Sequence, residues 1–205
     1  MNHRLIKALA LLLVVGLAVA ATSCKLLHEK VIEIVLNSNA CMDFEEREDS
    51  AQFTTPETVD VADDIDDALS EAGVSRDDLV EARLIGATYE VTWLDDPGHD
   101  WEIEGEIILS YAGEESTIVD YSEQSLYDAL GAGKIKADLN QSGVNLFNKA
   151  LGDYMDGWNP VLTFTVSNDA CTPSPSPSDS LKFDWTGCMH MYIIVEQEPD
   201  VIDPF

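Results

Sequence analysis

The chain has 205 residues and carries 39 acidic side chains against 11 basic ones, a formal net charge of −28. A surface this negative repels nucleic-acid phosphates and anionic lipid headgroups, so the composition excludes a nucleic-acid-binding protein. The excess is concentrated in residues 43–106, which hold 22 acidic side chains and three basic ones. We interpret this segment as a solvated acidic surface, with divalent cation binding as the alternative.

Residues 1–23 have the three-part organisation of a secretory signal. Arg4 and Lys7 provide a basic start, residues 8–21 form an apolar run, and small residues follow. The apolar run is shorter than the ~20 residues that a bilayer-spanning helix needs, which favours a signal peptide. An uncleaved anchor helix is the alternative for this segment.

The signal ends in Ala21-Thr22-Ser23-Cys24, which resembles the lipobox of bacterial lipoproteins. The resemblance implies cleavage before Cys24, diacylglycerol on its thiol and acylation of its new amine. Two or three acyl chains hold a protein stably, so a membrane is the implied partner. An ordinary signal peptide that leaves Cys24 unmodified, free or disulfide-bonded, is the alternative.

This resemblance divides the chain into a signal peptide (1–23), a lipidated tether (24–30) and one acidic α+β domain (31–205). It places the protein in the cell envelope. Lys25 stands where such lipoproteins often carry an Asp as a signal for retention in the inner membrane. The outer membrane is therefore the favoured location.

The first predicted elements of the domain are a strand, a loop and a helix. Residues 31–36 are rich in β-branched side chains and predict a buried strand, and the polar residues 37–58 predict a loop. A helix is predicted from Asp60, its N-cap, to Gly73, its C-cap, because apolar residues recur there at helical spacing. Residues 75–78 predict one further helical turn through a capping pattern.

Two segments with alternating apolar and polar residues predict a pair of strands. The apolar faces are Ile85, Ala87, Tyr89, Val91 and Trp93 in the first, and Trp101, Ile103, Ile107, Leu109 and Tyr111 in the second. The link at 94–100 contains the Asp, Pro and Gly of a turn. The pair is therefore predicted to form an antiparallel hairpin with one apolar and one acidic face.

The rest of the chain predicts a second helix and several short strands. The predicted segments are loop 112–133 with a helical turn at 123–130, strand 134–139, helix 142–155, strand 162–166 and strand 188–195. Short antiparallel strands with two amphipathic helices predict an α+β fold built on an antiparallel, β-sandwich-like sheet.

Three cysteines follow Cys24, and export to an oxidising compartment favours a disulfide between two of them. Cys171 and Cys188 flank the Pro/Ser-rich segment 172–180, and each borders an alternating run. A bridge at the base of this loop is predicted on that ground. Pairing of Cys41 with either of them is the alternative.

The loop that contains Asp95, Asp96 and Asp100 is the favoured location for a metal ion. Calcium binds carboxylate and carbonyl oxygens in a loop that folds around it. The loop lacks the ligand spacing of an EF-hand, and a solvated acidic loop is the alternative interpretation. No cofactor other than calcium is expected.

No motif of a hydrolase nucleophile or a phosphate-binding loop occurs in the sequence. The first hypothesis is therefore a non-enzymatic cell-envelope lipoprotein, a tethered module that binds a ligand or an envelope protein, or has a structural role. A calcium-dependent adhesion or ligand-binding domain is the second. The third is an envelope hydrolase, because paired catalytic carboxylates are brought together by folding and not by sequence spacing.

Overall fold

The computed structural model of the chain describes residues 32–95 and 100–197. These residues divide into two compact units, one with residues 32–34 and 196–197 and one with residues 35–195. The strands are β1 Ile32–Glu48, β2 Phe53–Asp60, β3 Leu79–Leu94, β4 Glu102–Tyr111, β5 Glu114–Ser125, β6 Ile135–Lys136, β7 Val161–Thr172 and β8 Leu181–Gln197. The helices are α1 Val61–Ala72, α2 Leu126–Ala132 and α3 Gln141–Met155, with a 3-10 turn at Arg76–Asp78.

Two four-stranded sheets make up the fold, with strand orders β1-β8-β3-β6 and β2-β7-β4-β5. The pairings within the second sheet and on both sides of β3 are antiparallel. The prediction of an α+β fold with antiparallel, sandwich-like sheets is confirmed. The two predicted amphipathic helices correspond to α1 and α3.

The local signals at the start of α1 and of the 3-10 turn are confirmed. The Asp60 carboxylate accepts a hydrogen bond from the Ala62 backbone N–H (3.0 Å), and Gly73 ends the helix at φ 70°. Ser75 and Asp78 form a reciprocal capping box around the 3-10 turn. These contacts are local, so a short stretch of sequence is sufficient to specify them.

The predicted hairpin of residues 85–93 with residues 101–111 is wrong. The two segments are β3 and β4, and they belong to different sheets. β3 pairs with β8 and β6, whereas β4 pairs with β5 and β7. The chain therefore changes sheets between the end of β3 and the start of β4.

Irregularities in β3 change which side chains face the core. Register shifts occur between Leu84 and Gly86 and between Val91 and Trp93. Each extra residue reverses the alternation of a strand. As a result Ile85 and Trp93, predicted on the face of Val91, are 54% and 40% exposed, whereas Val91 is buried.

Two segments predicted as loops are strands. Residues 37–48 continue β1, and most of β2 also lies within the predicted loop 37–58. Most of the predicted loop 112–133 is β5, followed by α2. Polar outward-facing residues obscure the alternation in these strands, because one face of each is exposed.

The predictions for the C-terminal half are largely confirmed. The predicted strand at 134–139 is reduced to the two residues of β6. Helix α3 buries Phe147, Leu151 and Tyr154, as expected, while Val144 is half-buried. The apolar residues of β7 and β8 face inward as predicted: Leu162, Phe164, Val166, Met189, Met191, Ile193 and Val195.

Helices α2 and α3 each contact strands of both sheets, α2 through β3 and β5, and α3 through β3, β4 and β5. The Asn148 side chain of α3 accepts a hydrogen bond from the Leu84 backbone N–H (2.8 Å) at the irregularity in β3. Gly143 lets α3 approach β5 closely, because a Cβ there would lie 2.5 Å from the Ile118 Cα. In the described part of the chain, no helix has the length and apolarity needed to cross a membrane.

Candidate ligand-binding site

A cavity of about 340 Å³ lies between the two sheets, within residues 35–195. We call it the intersheet cavity. Its walls contain seven aromatic side chains: Phe44, Tyr89, Phe183 and Trp185 from the first sheet, and Phe53, Tyr121 and Phe164 from the second. The volume is in the range of small-molecule sites, which are concave and mostly apolar.

The pairing of β1 with β8 places two of these aromatic rings against each other. Phe44 and Trp185 stack with their ring centroids 4.3 Å apart and their planes at 7°. Both are buried, since they stand on the inward faces of these strands. Gly187 leaves room for the Trp185 ring, because a Cβ there would lie 3.1 Å from a ring carbon.

Polar side chains form the mouth of the cavity. Asp120 and Ser122 of β5 and Lys136 and Asp138 of the β6 segment line the cavity and are exposed. Gln124 accepts a 2.7 Å hydrogen bond from the Tyr89 hydroxyl, which links the two sheets at this point. Apolar walls with a few polar groups at one side suit a ligand that has an apolar body and a polar end.

Glu46 is a buried acidic residue next to the cavity wall. It has no exposed surface, and its Oε2 accepts a 2.7 Å hydrogen bond from the Thr55 hydroxyl. Within the described residues, no group makes a well-formed hydrogen bond to Oε1, although the Trp185 side chain is close enough to lower the pKa of this carboxyl. Burial raises the pKa of Glu46, and interactions with the Thr55 and Trp185 side chains partly oppose this effect. Taking a carboxylate out of water favours its protonated form.

A second concavity adjoins the mouth. We call it the acidic recess; it is lined by Glu104, Gly105, Glu106, Asp120, Tyr121, Ser122 and Asp169. Asp120, Tyr121 and Ser122 line both the recess and the intersheet cavity. The two concavities therefore share part of their walls. The acidic recess is also the kind of concave group of carboxylates that the hydrolase hypothesis requires.

Tyr121 stands between these two sites because Gly105 makes room for it. A Cβ at Gly105 would lie 2.7 Å from the Tyr121 hydroxyl and 2.1 Å from the Ser167 carbonyl oxygen. The hydroxyl donates to Ser167 O (3.3 Å) and contacts Asn168 Oδ1 (3.4 Å). Burial raises the pKa of Tyr121, and the charges of Glu46, Asp169 and Glu106 raise it further. The phenol is thus neutral near pH 7.

The predicted disulfide between Cys171 and Cys188 is wrong. Cys188 is bonded to Cys41, with their Cα atoms 4.1 Å apart. Cys41 and Cys188 lie on the neighbouring strands β1 and β8, whereas Cys171 is on β7 in the other sheet. The Pro/Ser segment crosses between the sheets rather than closing a hairpin, so the flanking cysteines are not brought together.

Cys171 is a buried free thiol. Burial raises its pKa to about 11, which keeps it protonated and unreactive at neutral pH. On the outer face of β8, His190 contacts Asn39 Oδ1 and Thr88 Oγ1 at 2.5 and 3.0 Å. The methionines on either side of it are buried in the core, so this strand does not gather soft ligands at one point.

The residues predicted for calcium are only partly described. Asp95 forms a 2.9 Å ion pair with Lys182, and Asp100 accepts a 3.2 Å hydrogen bond from Ser125. Asp96 lies outside the described residues, as does the lipidation residue Cys24. No group of three His, Cys, Asp or Glu side chains within the described ranges is arranged to hold a metal ion. Calcium binding at this loop therefore stays a prediction.

Sequence reasoning did not find the intersheet cavity or Glu46. One signal was available: Ser38, Ala40, Met42, Phe44 and Glu46 alternate with outward-facing residues along β1, and all five are buried. A charged residue at the end of an inward-facing series is unusual, since charges are rarely buried without a partner. The cavity itself has no local signal, because eight strands contribute to its walls.

The comparisons with known proteins are sparse. No known protein family matches the sequence, and no curated protein matches it. Among solved structures, the chain is similar to the decameric BFDV capsid protein, with 10% identity and a TM-score of 0.30 over 79% of this chain and 99% of that chain. A similarity this distant carries no argument about function.

Proposed function

We propose that this protein is a non-enzymatic, lipid-anchored binding module of the cell envelope. In this proposal Cys24 carries the lipid, and the β-sandwich binds a small molecule with an apolar body and a polar end. The outer membrane is the location that Lys25 favours. The anchor rests on the lipobox resemblance, and the binding role rests on the intersheet cavity.

The intersheet cavity is the observation that supports binding. Protein interiors are normally packed with few voids larger than a water molecule. A space of about 340 Å³ between two sheets, lined by seven aromatic side chains and opening at polar residues, departs from that rule. A concave space of this size with apolar walls and a polar opening is the usual form of a small-molecule site, which favours a ligand as its occupant.

The test of binding uses N-phenyl-1-naphthylamine, an uncharged probe that fluoresces in apolar surroundings. We expect saturable binding by residues 25–205 and its loss in Ala87→Phe, which fills the cavity from β3. Ile85→Phe is the matched control, because Ile85 lies on the exposed side of the same strand. Val166→Phe fills the cavity from the opposite sheet. It shows whether a loss of binding in Ala87→Phe comes from the filled cavity or from misfolding of that one variant. Binding that survives both filling variants would contradict the proposal.

The anchor is tested separately. Cys24→Ala should move the protein from the membrane fraction to the released fraction, while Cys171→Ala should leave it in place. Labelling with a fatty-acid analogue should be lost in the first variant only. Equal membrane association of the two variants would show that Cys24 does not carry the anchor.

A further inference from the structure

The side chains around the intersheet cavity indicate which chemical class of ligand it binds. This inference rests on the proposed binding function. The faces of aromatic rings carry negative partial charge and attract cations, most strongly where water is excluded. The stacked Phe44 and Trp185 rings and the Tyr121 ring all line this cavity. Such walls accept an apolar body and also favour a positive group carried by it.

Glu46 adds a full negative charge to this aromatic surrounding when it is ionised. Its side chain interacts with Trp185, its charge acts on Tyr121, and both of those residues line the cavity. Glu46 itself lies just outside the lining, and its buried Oε1 makes no well-formed hydrogen bond within the described residues. A buried acceptor left without a donor costs free energy, and a ligand that brings an N–H donor or a positive charge would remove that cost.

The side chains around the mouth of the cavity also carry mostly negative charge. Asp120 and Asp138 stand at the mouth, and the adjoining acidic recess adds Glu104, Glu106 and Asp169. Among the described residues that line the cavity, Lys136 is the one basic side chain. Grooves lined by one sign of charge concentrate ligands of the opposite sign. An anionic ligand such as a fatty acid would meet repulsion both at the mouth and inside.

We infer that the intersheet cavity binds an organic cation, a small molecule with an apolar and preferably aromatic body and one ammonium group. The aromatic walls hold the body. The Glu46 carboxylate, which acts on the Trp185 and Tyr121 side chains of the wall, is the group that selects the positive charge. The acidic recess and the mouth attract such a ligand and leave anionic relatives of the same shape outside.

The test compares three ligands that share one ring system and differ in charge: 2-naphthylmethylammonium, 2-naphthalenemethanol and 2-naphthoate. Binding is measured by titration calorimetry on residues 25–205 at pH 7 and constant ionic strength. We expect the ammonium compound to bind at least tenfold more tightly than the alcohol, and the carboxylate to bind most weakly. Ala87→Phe should abolish binding of all three.

Two variants locate the source of the preference. Glu46→Gln should reduce the advantage of the ammonium compound over the alcohol to about twofold or less, with the alcohol affinity unchanged. Glu45→Gln is the matched control, because it removes the same charge from the exposed face of β1 and should leave the advantage intact.

The outcomes separate this inference from the proposed function. Equal affinities for the ammonium compound and the alcohol, or equal effects of the two glutamine variants, would overturn the inference and leave the binding function standing. Absence of binding by all three compounds would overturn the proposed function, and the inference with it.

Discussion

Glu46 is an ionisable residue that is completely buried. Its surroundings show how this burial affects the free energy of unfolding. Thr55 donates one hydrogen bond to its carboxylate, and Oε1 receives no well-formed one within the described chain. Burial raises its pKa above the ordinary value of 4.5, Glu48 adds to this effect, and Arg47 opposes it. Folding therefore favours the protonated side chain over the ionised one.

The stability of the free protein should consequently depend on this residue and on pH. Because the folded-state pKa is raised, the contribution of Glu46 is fully present below about pH 4.5 and is lost as pH rises through the folded-state pKa. Glu46→Gln removes the charge and retains an oxygen for Thr55. At pH 7 we expect it to stabilise the fold by about 1 kcal/mol, a rise of about 2–4 °C in Tm.

Urea unfolding of both proteins from pH 3.5 to 8 measures this effect. The stability difference between Glu46→Gln and the parent should be near zero at the acidic end and should grow as pH rises. Glu45→Gln, on the exposed face of the same strand, should show no such profile. A glutamine variant that is less stable than the parent at pH 7 would mean that the buried carboxylate is compensated by its surroundings.

Among the secondary-structure elements, the irregularities in the strands determine which side chains reach the site. Gly105 lies at the register shift of β4 against β7, and Gly86 lies at a shift of β3 against β8. The surroundings of the two glycines differ. A Cβ at Gly105 would overlap the Ser167 carbonyl oxygen at 2.1 Å, whereas a Cβ at Gly86 would meet nothing within 4 Å.

This difference gives a matched pair of variants. Gly105→Ala should destabilise the protein by about 1–3 kcal/mol or more, because backbone atoms have to move to make room. It should also weaken probe binding in the intersheet cavity, since Tyr121 packs over this glycine and lines the cavity. Gly86→Ala should change both quantities little. Thermal unfolding and probe titration of the two variants test this, and equal effects would contradict it.

The same irregularities explain where sequence-based prediction succeeded and where it failed. The caps of α1, the apolar face of α3 and the inward residues of β8 depend on neighbours a few positions away, and they were predicted correctly. Strand pairing depends on distant partners, so the turn at 94–100 wrongly indicated a hairpin. The register shifts in β3 reversed the faces of Ile85 and Trp93, and no local pattern announces such a shift.

At the scale of the whole molecule, the charge of the chain was predictable and the site was not. Composition alone gives the excess of 28 negative charges. The intersheet cavity exists only after eight strands are in place, and the Cys41–Cys188 bond joins residues 147 positions apart. Spacing in the sequence could not rank Cys41 above Cys171 as the partner of Cys188, because the choice depends on which strands share a sheet.

The net charge makes a prediction for the response of the fold to salt. If the carboxylates of residues 43–106, apart from the buried Glu46, repel one another across a solvated surface, added salt should stabilise the protein by screening. The Debye length is already about 8 Å at 0.15 M, so the response should be gradual. Sodium and calcium should act alike at matched ionic strength. We expect this outcome because Asp95, one of the residues predicted to bind calcium, already forms an ion pair with Lys182.

A calcium site in the loop with Asp95, Asp96 and Asp100 would behave differently. A ligand at about 100 times its Kd stabilises the folded state by roughly 2.7 kcal/mol, which corresponds to several degrees in Tm for a domain of this size. That increase would appear with calcium and not with sodium, and Asp95→Asn combined with Asp96→Asn would abolish it. Glu45→Gln combined with Asp43→Asn removes the same number of charges from the exposed face of β1 and serves as the control. A calcium-specific stabilisation that survives in this control and disappears in the loop variant would replace the solvated-surface interpretation with a metal site.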